Sequence, residues 1–224
     1  MVRFHLFLGF AACFVMWIFF LIFPHLDITI AGHYYDPATH VFVGSYSRAL
    51  DFLHFFAMKF PIVISIVVVL FLIASLFYDK LKIKHRKEIL FVAVCLWVGP
   101  GLVVNAVFKD HWGRPRPPMI EQLGGDKIFQ APFVISNQCG TNCSFPCGDA
   151  SVGFWLFALM PLCISRRKKL LAFSLAVLAG GGLGWMRIAQ GGHFFSDVIF
   201  CGIIVYICTW MIYWAMYRKK KIDL

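Results

Sequence analysis

Residues Ile89–Phe108 read ILFVAVCLWVGPGLVVNAVF, twenty positions without a charge. The basic run Lys80–Lys87 (KLKIKHRK) precedes them, and Lys109-Asp110-His111-Trp112-Gly113-Arg114-Pro115-Arg116-Pro117 follows. A helix needs about 20 mostly apolar residues to cross the hydrocarbon core of a bilayer. In lipid a lone segment satisfies its backbone polar groups only by winding into a helix. Five further runs fit the same description or come close: Phe4–Phe23, Phe60–Tyr78, Ala150–Ile164, Leu170–Ile188 and Val198–Tyr217. The run Ala150–Ile164 is short and contains Pro161, so it is expected to kink or to extend into its flanks. No alternation of the kind a membrane barrel needs is visible. The pattern predicts an all-α chain, one domain over residues 1–224, built as a six-helix transmembrane bundle joined by polar loops.

Composition agrees. Of the 224 residues 60% are apolar and 14% charged, against about 45–50% and about 25% in a soluble domain. Most of the surface must therefore face something other than water. The first run follows Arg3 as a signal peptide would. It is longer than the roughly 7–15 residues of a signal core, and Phe23-Pro24-His25 offers no small-residue cleavage site. It reads as an uncleaved anchor.

The formal charge of +10 would suit a nucleic-acid binder, but its placement does not. Thirteen of the 21 basic residues lie in Lys80–Lys87, Arg166–Lys169 and Arg218–Lys221, each abutting an apolar run. Lys and Arg concentrate in cytoplasmic loops. With the N-terminus inside, these clusters and Arg3 all fall on the cytoplasmic face. That face then carries +11 and the other −1. The expectation is a multi-pass protein of a bacterial-type inner membrane, with both termini cytoplasmic and its outer loops periplasmic. By this reading its surroundings are a bilayer, and nucleic acid is not a partner.

The eight cysteines divide into two groups. Cys13, Cys95, Cys163, Cys201 and Cys208 sit in apolar runs, where a thiol behaves as a small hydrophobe. Cys139, Cys143 and Cys147 fall in or beside one polar loop. They are open to three readings: free thiols, a Cys139–Cys143 disulfide if the loop is extracytoplasmic, or a metal site. The outer segment Pro24–Lys59 carries His25, His33, His40 and His54. No metal-ligand spacing links them, so they read as structural or interfacial, with an interfacial helix near Ser45–Met58.

Three outer stretches carry chemistry. In the first, Lys109, Arg114 and Arg116 lie within eight residues, and two prolines hold the chain extended. They suit a phosphate, since Arg presents a planar fork and Lys a point charge; snorkelling anchors are the alternative. The second, Phe145-Pro146-Cys147-Gly148-Asp149-Ala150-Ser151, opens a span. Its glycine and helix-start N–H groups fit an anion, while Asp149 or Ser151 as a plain helix cap is the other reading. In the third, His193 and Asp197 are four apart and share a helix face, just after Arg187 and Gly191-Gly192. A carboxylate fixes an imidazole's tautomer and leaves the other nitrogen free to attack or to move a proton. A simple His–Asp pair at a helix end is the alternative. Together the stretches supply what phosphoryl transfer needs: placed cations, a nucleophile and a proton source.

In order and spacing these stretches resemble the type-2 phosphatidic-acid phosphatase superfamily, whose pattern is K-x-x-x-x-x-x-R-P, then P-S-G-H, then S-R-x-x-x-x-x-H-x-x-x-D. Lys109 with Arg116-Pro117 matches the first part, Pro146 and Gly148 the second, and Arg187, His193 and Asp197 the third. Cys147 stands where Ser is usual, Asp149 where His is usual and Met186 where Ser precedes the Arg. Phe-Lys-Asp-His-Trp-Gly-Arg-Pro-Arg-Pro, Cys-Gly-Asp-Ala-Ser and Gln-Gly-Gly-His-Phe-Phe-Ser-Asp are similar to the bacterial subgroup that removes the 4′-phosphate of lipid A on the periplasmic side. The resemblance implies that His193 attacks phosphorus and becomes phosphohistidine while Asp197 holds its ring. It further implies that Lys109, Arg116, Arg187 and the backbone at Cys147 and Gly148 grip the phosphate, and that no metal or cofactor is required. Asp149 occupies the general acid's position and is the candidate for that role. The rivals are a phosphatase or phosphotransferase acting on undecaprenyl pyrophosphate or phosphatidylglycerophosphate, and a non-catalytic transporter. A transporter would place charges near the bilayer midplane or use discontinuous helices; the runs hold almost no charges, and the ionisable residues gather at span ends. A cysteine phosphatase needs Arg six residues after its nucleophile; Gly153 stands there after Cys147.

Overall fold

The protein, as a computed structural model, is described over residues 1–77 and 86–218. The basic residues Lys80, Lys82, Lys84 and Lys219–Lys221, the acids Asp79 and Asp223, and the expected end of the second span at Tyr78 lie outside that range.

Each apolar run becomes a helix. In order these are α1 (Val2–Ile22), the short α2 (His25–Gly32), α3 (Arg48–Phe77), α4 (Arg86–Leu96) continuing into a π-helix (Trp97–Phe108) and one further turn, α5 (Lys109–His111), then α6 (Gly148–Phe154), α7 (Arg166–Ala189) and α8 (Phe195–Tyr217). A two-residue hairpin, β1 (Tyr35–Asp36) against β2 (Val41–Phe42), lies between α2 and α3. Among the described residues five helical segments are long and apolar enough to cross a bilayer, and α6 with its 3₁₀ extension (Trp155–Leu159) forms a shorter apolar helix. Pro161 follows that extension, which accounts for its length. The outward faces remain apolar: Phe7, Phe14, Ile66, Leu70 and Leu178 are all exposed. A water-soluble fold would not leave so large a patch uncovered.

Two features differ from the expectation. α3 begins at Arg48 rather than near Phe60, so the separate interfacial helix expected at Ser45–Met58 does not exist. Residues Ala49–Lys59 are mostly good helix formers without glycine or proline, so the helix runs outward beyond its apolar part. Pro61 is absorbed within it, its carbonyl accepting from Ser65 Oγ at 2.7 Å. The third span is not a plain α-helix. Pro100 lacks an N–H and blocks normal pairing; the wider winding continues to Phe108, and the Lys109 N–H donates to the Val104 carbonyl five residues back.

The core lies where α8 is wrapped by α1, α6, α7 and the π-helix, around Phe145, Phe154, Phe200, Val205 and Trp210. α6 and α7 approach at backbone distance. A Cβ on Gly153 would stand 2.3 Å from the Gly180 nitrogen, the small-residue contact that membrane helices use. Lys169 Nζ lies 3.2 Å from Met1 Sδ, and Lys87 Nζ sits 4.3 Å from the Tyr217 ring centre. His5 stacks on Trp210 at 3.9 Å, joining the start of α1 to the last turns of α8. The described basic clusters, the start of α1 and the end of α8 thus gather at one end of the bundle. The polar stretches gather at the other, where Cys139 and Cys143 form a disulfide with Cα atoms 5.7 Å apart.

Candidate active site

α7 ends in a tight reversal. Gly191 has φ +69°, its N–H donates to the Ile188 carbonyl (2.9 Å), and the Gly192 N–H donates to the Arg187 carbonyl (2.7 Å). Glycine is needed at the left-handed position. At Gly192 the reason is space, since a Cβ would meet Arg187 Nη2 at 2.5 Å. This turn brings His193 back beside the α7 terminus, and α8 starts two residues later.

His193 is fully buried, with Nδ1 3.5 Å from Asp197 Oδ2. Neither ring nitrogen has a hydrogen-bond partner among the described residues. Burial lowers its pKa to about 4, and Lys109 and Arg116 push the same way. The imidazole is therefore neutral near pH 7, with a lone pair available. Asp197 itself is tightly held. Its Oδ2 accepts from Ser144 Oγ (2.6 Å) and from the Phe194 N–H (2.8 Å), and its Oδ1 from Arg114 Nη1.

Arg114 was one of three cations in its stretch, but the structure gives it a different place from Lys109 and Arg116. It is fully buried between the rings of Phe194 and Phe129, 4.6 and 5.4 Å away. Nη2 donates to Asp27 Oδ2 (2.9 Å), Nη1 to Ser196 Oγ (2.8 Å) as well as to Asp197, and Nε to the Gln130 carbonyl (2.8 Å). Asp27 on α2 closes the net by accepting from the Ser196 N–H (2.8 Å) and Oγ (2.5 Å). Burial raises the Asp27 pKa, against the pull of Arg114. Asp27 escaped the sequence reading; its one signal was an acid set among Leu26, Ile28 and Ile30.

Lys109, Arg116, Arg187, Gly148 and Asp149 line a cavity of about 790 Å³. Its opposite wall is apolar and descends between α3 and the π-helix past Met58, Ile62, Ile66, Leu96 and Trp97. Trp97 Nε1 donates to Ser65 Oγ (2.9 Å) across that gap. Arg116 is steadied by Asn142, whose carbonyl and side-chain oxygen accept from Nη2 at 2.8 and 3.0 Å. Arg187 donates from Nη1 to Gln190 Oε1 (2.8 Å), and its Nε stands 3.0 Å from Asp149 Oδ2. Lys109 presses on the start of α6: a Cβ at Gly148 would lie 3.0 Å from Lys109 Nζ and 2.6 Å from Asn105 Oδ1.

The second stretch is arranged more sparingly than expected. Cys147 precedes α6 without a side-chain cap, and its N–H donates to the Asp197 carbonyl at 3.3 Å. Of the two backbone positions expected to meet a phosphate, this leaves Gly148 facing the cavity. The Cys147 thiol is buried, which pushes its pKa up to about 12; such a thiol is inert. Neither Asp149 nor Ser151 caps the helix. Ser151 Oγ donates to the Gly148 carbonyl (2.5 Å), and Asp149 faces Arg187 and His54 Nδ1, the latter at 3.1 Å. His54, read as interfacial, is thus a cavity residue, carried there by the outward run of α3. No group of three His, Cys, Asp or Glu among the described residues is placed to hold a metal ion.

Residues 89–221, which contain all three stretches, match the PAP2 superfamily. The chain belongs to the PAP2 superfamily. Among similar PAP2 proteins, a lipid A 4′-phosphatase of Francisella tularensis subsp. novicida (strain U112) is 68% identical over 221 residues, covering 99% of this chain and 100% of its own length. A lipid A 4′-phosphatase of Rhizobium leguminosarum is 34% identical over 153 residues, 67% of this chain and 65% of its own. Another, from Rhizobium etli, is 36% identical over 103 residues, 46% of this chain and 40% of its own. No solved structure matches this PAP2 chain.

Proposed function

We propose that this chain is a lipid A 4′-phosphatase that hydrolyses the monoester through a phosphohistidine on His193, on the periplasmic face of an inner membrane. The observation that carries the reading is one cavity joining two environments. Lys109, Arg116, Arg187 and Gly148 stand at its polar end, two of them close enough to push down the pKa of the buried His193 ring, and its other wall is apolar and runs between α3 and the π-helix. A phosphorylated lipid fits such a space with its headgroup among the cations and its chains alongside α3.

The chemistry follows from that placement. Lys109, Arg116 and Arg187 take the phosphate oxygens and hold phosphorus in line with the His193 lone pair. The ring is buried and outside the cavity lining, so attack requires it to be uncovered as the anion enters. Asp197, fixed by Arg114, Ser144 and the Phe194 N–H, holds Nδ1 and steadies the positive charge that grows on the ring. Cys147 contributes by fixing the turn, and Gly148 by letting the phosphate approach the backbone. The leaving sugar oxygen takes a proton at the corner of the cavity where Asp149 stands and departs as a hydroxyl. Water then cleaves the phosphohistidine, and neither metal nor cofactor enters the scheme. The disulfide at the polar end and the basic clusters at the opposite end support a periplasmic site and cytoplasmic termini.

The test uses purified protein in detergent with lipid A phosphorylated at both the 1 and 4′ positions, read by mass, with undecaprenyl pyrophosphate alongside. Loss of the 4′-phosphate alone, an acid-labile phosphoenzyme and no turnover by His193→Ala are expected. Turnover confined to undecaprenyl pyrophosphate would overturn the substrate, and full activity of His193→Ala the mechanism.

A further inference from the structure

Asp149 is enclosed on both sides. Arg187 Nε stands 3.0 Å from its Oδ2 and His54 Nδ1 3.1 Å from its Oδ1. The pairing belongs to a larger circuit. Asp51, one turn before His54 on the same face of α3, accepts from Gln190 Nε2 at 2.9 Å, and Gln190 accepts from Arg187 Nη1 at 2.8 Å. Asp51, Gln190, Arg187, Asp149 and His54 thus link α3, α6 and α7 in one loop of contacts at the cavity edge. Asp149 Oδ1 faces the imidazole and Oδ2 the guanidinium, so both oxygens are engaged by their neighbours and the group left to reach a substrate is the imidazole. With Nδ1–H directed at Asp149, Nε2 remains, on a ring that lines the cavity and is about one-third exposed.

We propose that His54, held by Asp149, is the general acid and base of the reaction, a role that rests on the phosphohistidine reading of His193. In the first half-reaction the His193 lone pair forms the N–P bond and the bond from phosphorus to the sugar oxygen breaks. That oxygen takes the proton from Nε2 of the His54 imidazolium, leaving His54 neutral. In the second, His54 Nε2 takes a proton from water as the water oxygen attacks phosphorus. The N–P bond breaks, its electron pair returns to His193, and inorganic phosphate leaves. His54 is an imidazolium again and Asp149 is unchanged throughout. Asp149 orients the ring and balances its charge, as Asp197 does for His193. The two imidazoles come from different elements, His54 from α3 and His193 from the turn before α8.

The test measures kcat and KM for lipid A in His54→Ala, His54→Gln, Asp149→Asn and His193→Ala, each checked for folding by its melting temperature in detergent. His54→Ala and His54→Gln should lower kcat about 100-fold or more, within the range of general acid–base catalysis, with KM changed less than about threefold. Added imidazole should restore part of the His54→Ala rate at no gain in melting temperature, which a merely structural side chain would not show. Asp149→Asn should lower kcat and resist imidazole. Turnover by His54→Ala within threefold of the unaltered chain, or a loss confined to KM, would overturn the proposal. So would a large loss in Asp149→Asn with none in His54→Gln, which makes Asp149 the donor. Turnover by His193→Ala would instead remove the underlying mechanism, so the two failures are distinct.

Discussion

Arg114 holds Asp197 together with Ser144 and the Phe194 N–H, and Arg114→Leu tests how much of the fold's stability rests on it. The guanidinium is fully buried and serves two carboxylates, Asp27 and Asp197, together with Ser196 Oγ and the Gln130 carbonyl. Leucine fills much of the space between Phe129 and Phe194, so the packing loss is small. The electrostatic loss is not, because two carboxylates then face each other without their cation. Breaking a buried pair in this way costs about 3–5 kcal/mol. At about 2–4 °C per kcal/mol for a chain of this size, melting should fall by about 10 °C. Arg114→Lys keeps the charge but not the fork, and should recover only part of the drop. A double-mutant cycle with Asp27→Asn should show coupling of at least about 1 kcal/mol, since neutralising one carboxylate relieves the pair. The assay is intrinsic tryptophan fluorescence during heating in detergent, with lipid A turnover measured well below melting. Melting of Arg114→Leu within 2 °C of the unaltered chain, or additive single and double variants, would refute the account.

Other expectations follow from single contacts. Gly148→Ala puts a Cβ 2.6 Å from Asn105 Oδ1 and 3.0 Å from Lys109 Nζ, so KM for lipid A should rise about tenfold with melting nearly unchanged. Gly153→Val drives a side chain into the α7 backbone at Gly180 and should cost at least about 1–3 kcal/mol by overpacking, read as lower melting and poor recovery from membranes. His193 has its folded pKa lowered to about 4 from 6.5. Between those values the unfolded chain binds the extra proton, so stability falls as pH drops through that window, by about 3 kcal/mol in full. His193→Gln should flatten this slope in melting scans from pH 7 to pH 4.

Much of the fold was legible because lipid makes the code simple. Twenty uncharged residues such as Ile89–Phe108 have few alternatives to a helix, and the basic clusters at Arg86–Lys87 and Arg166–Lys169 share one end. Lys109, Arg116, Arg187, His193 and Asp197 could be singled out as candidates because short spacings tie Lys109 to Arg116, and Arg187 to His193 and Asp197. What was hidden depends on contacts far apart in the chain. Asp27 and Arg114 meet across 87 positions and His54 and Asp149 across 95, and no local pattern announces either pair. The start of α3 was misjudged because hydropathy marks where lipid ends and not where a helix ends. Arg114 and Arg116 look alike in sequence; only the packing of Phe129 and Phe194 turns one inward.

The Asp27–Arg114–Asp197 net also bears on how the enzyme comes into being. Its three charges belong to an early, a middle and a late segment of a chain made from the N-terminus onward. Until α8 has entered the membrane the clasp lacks its final member, and the nucleophile's turn has nothing to rest upon. A partly threaded polypeptide therefore holds phosphate-attracting side chains without a working centre, and competence arrives only with the last helix.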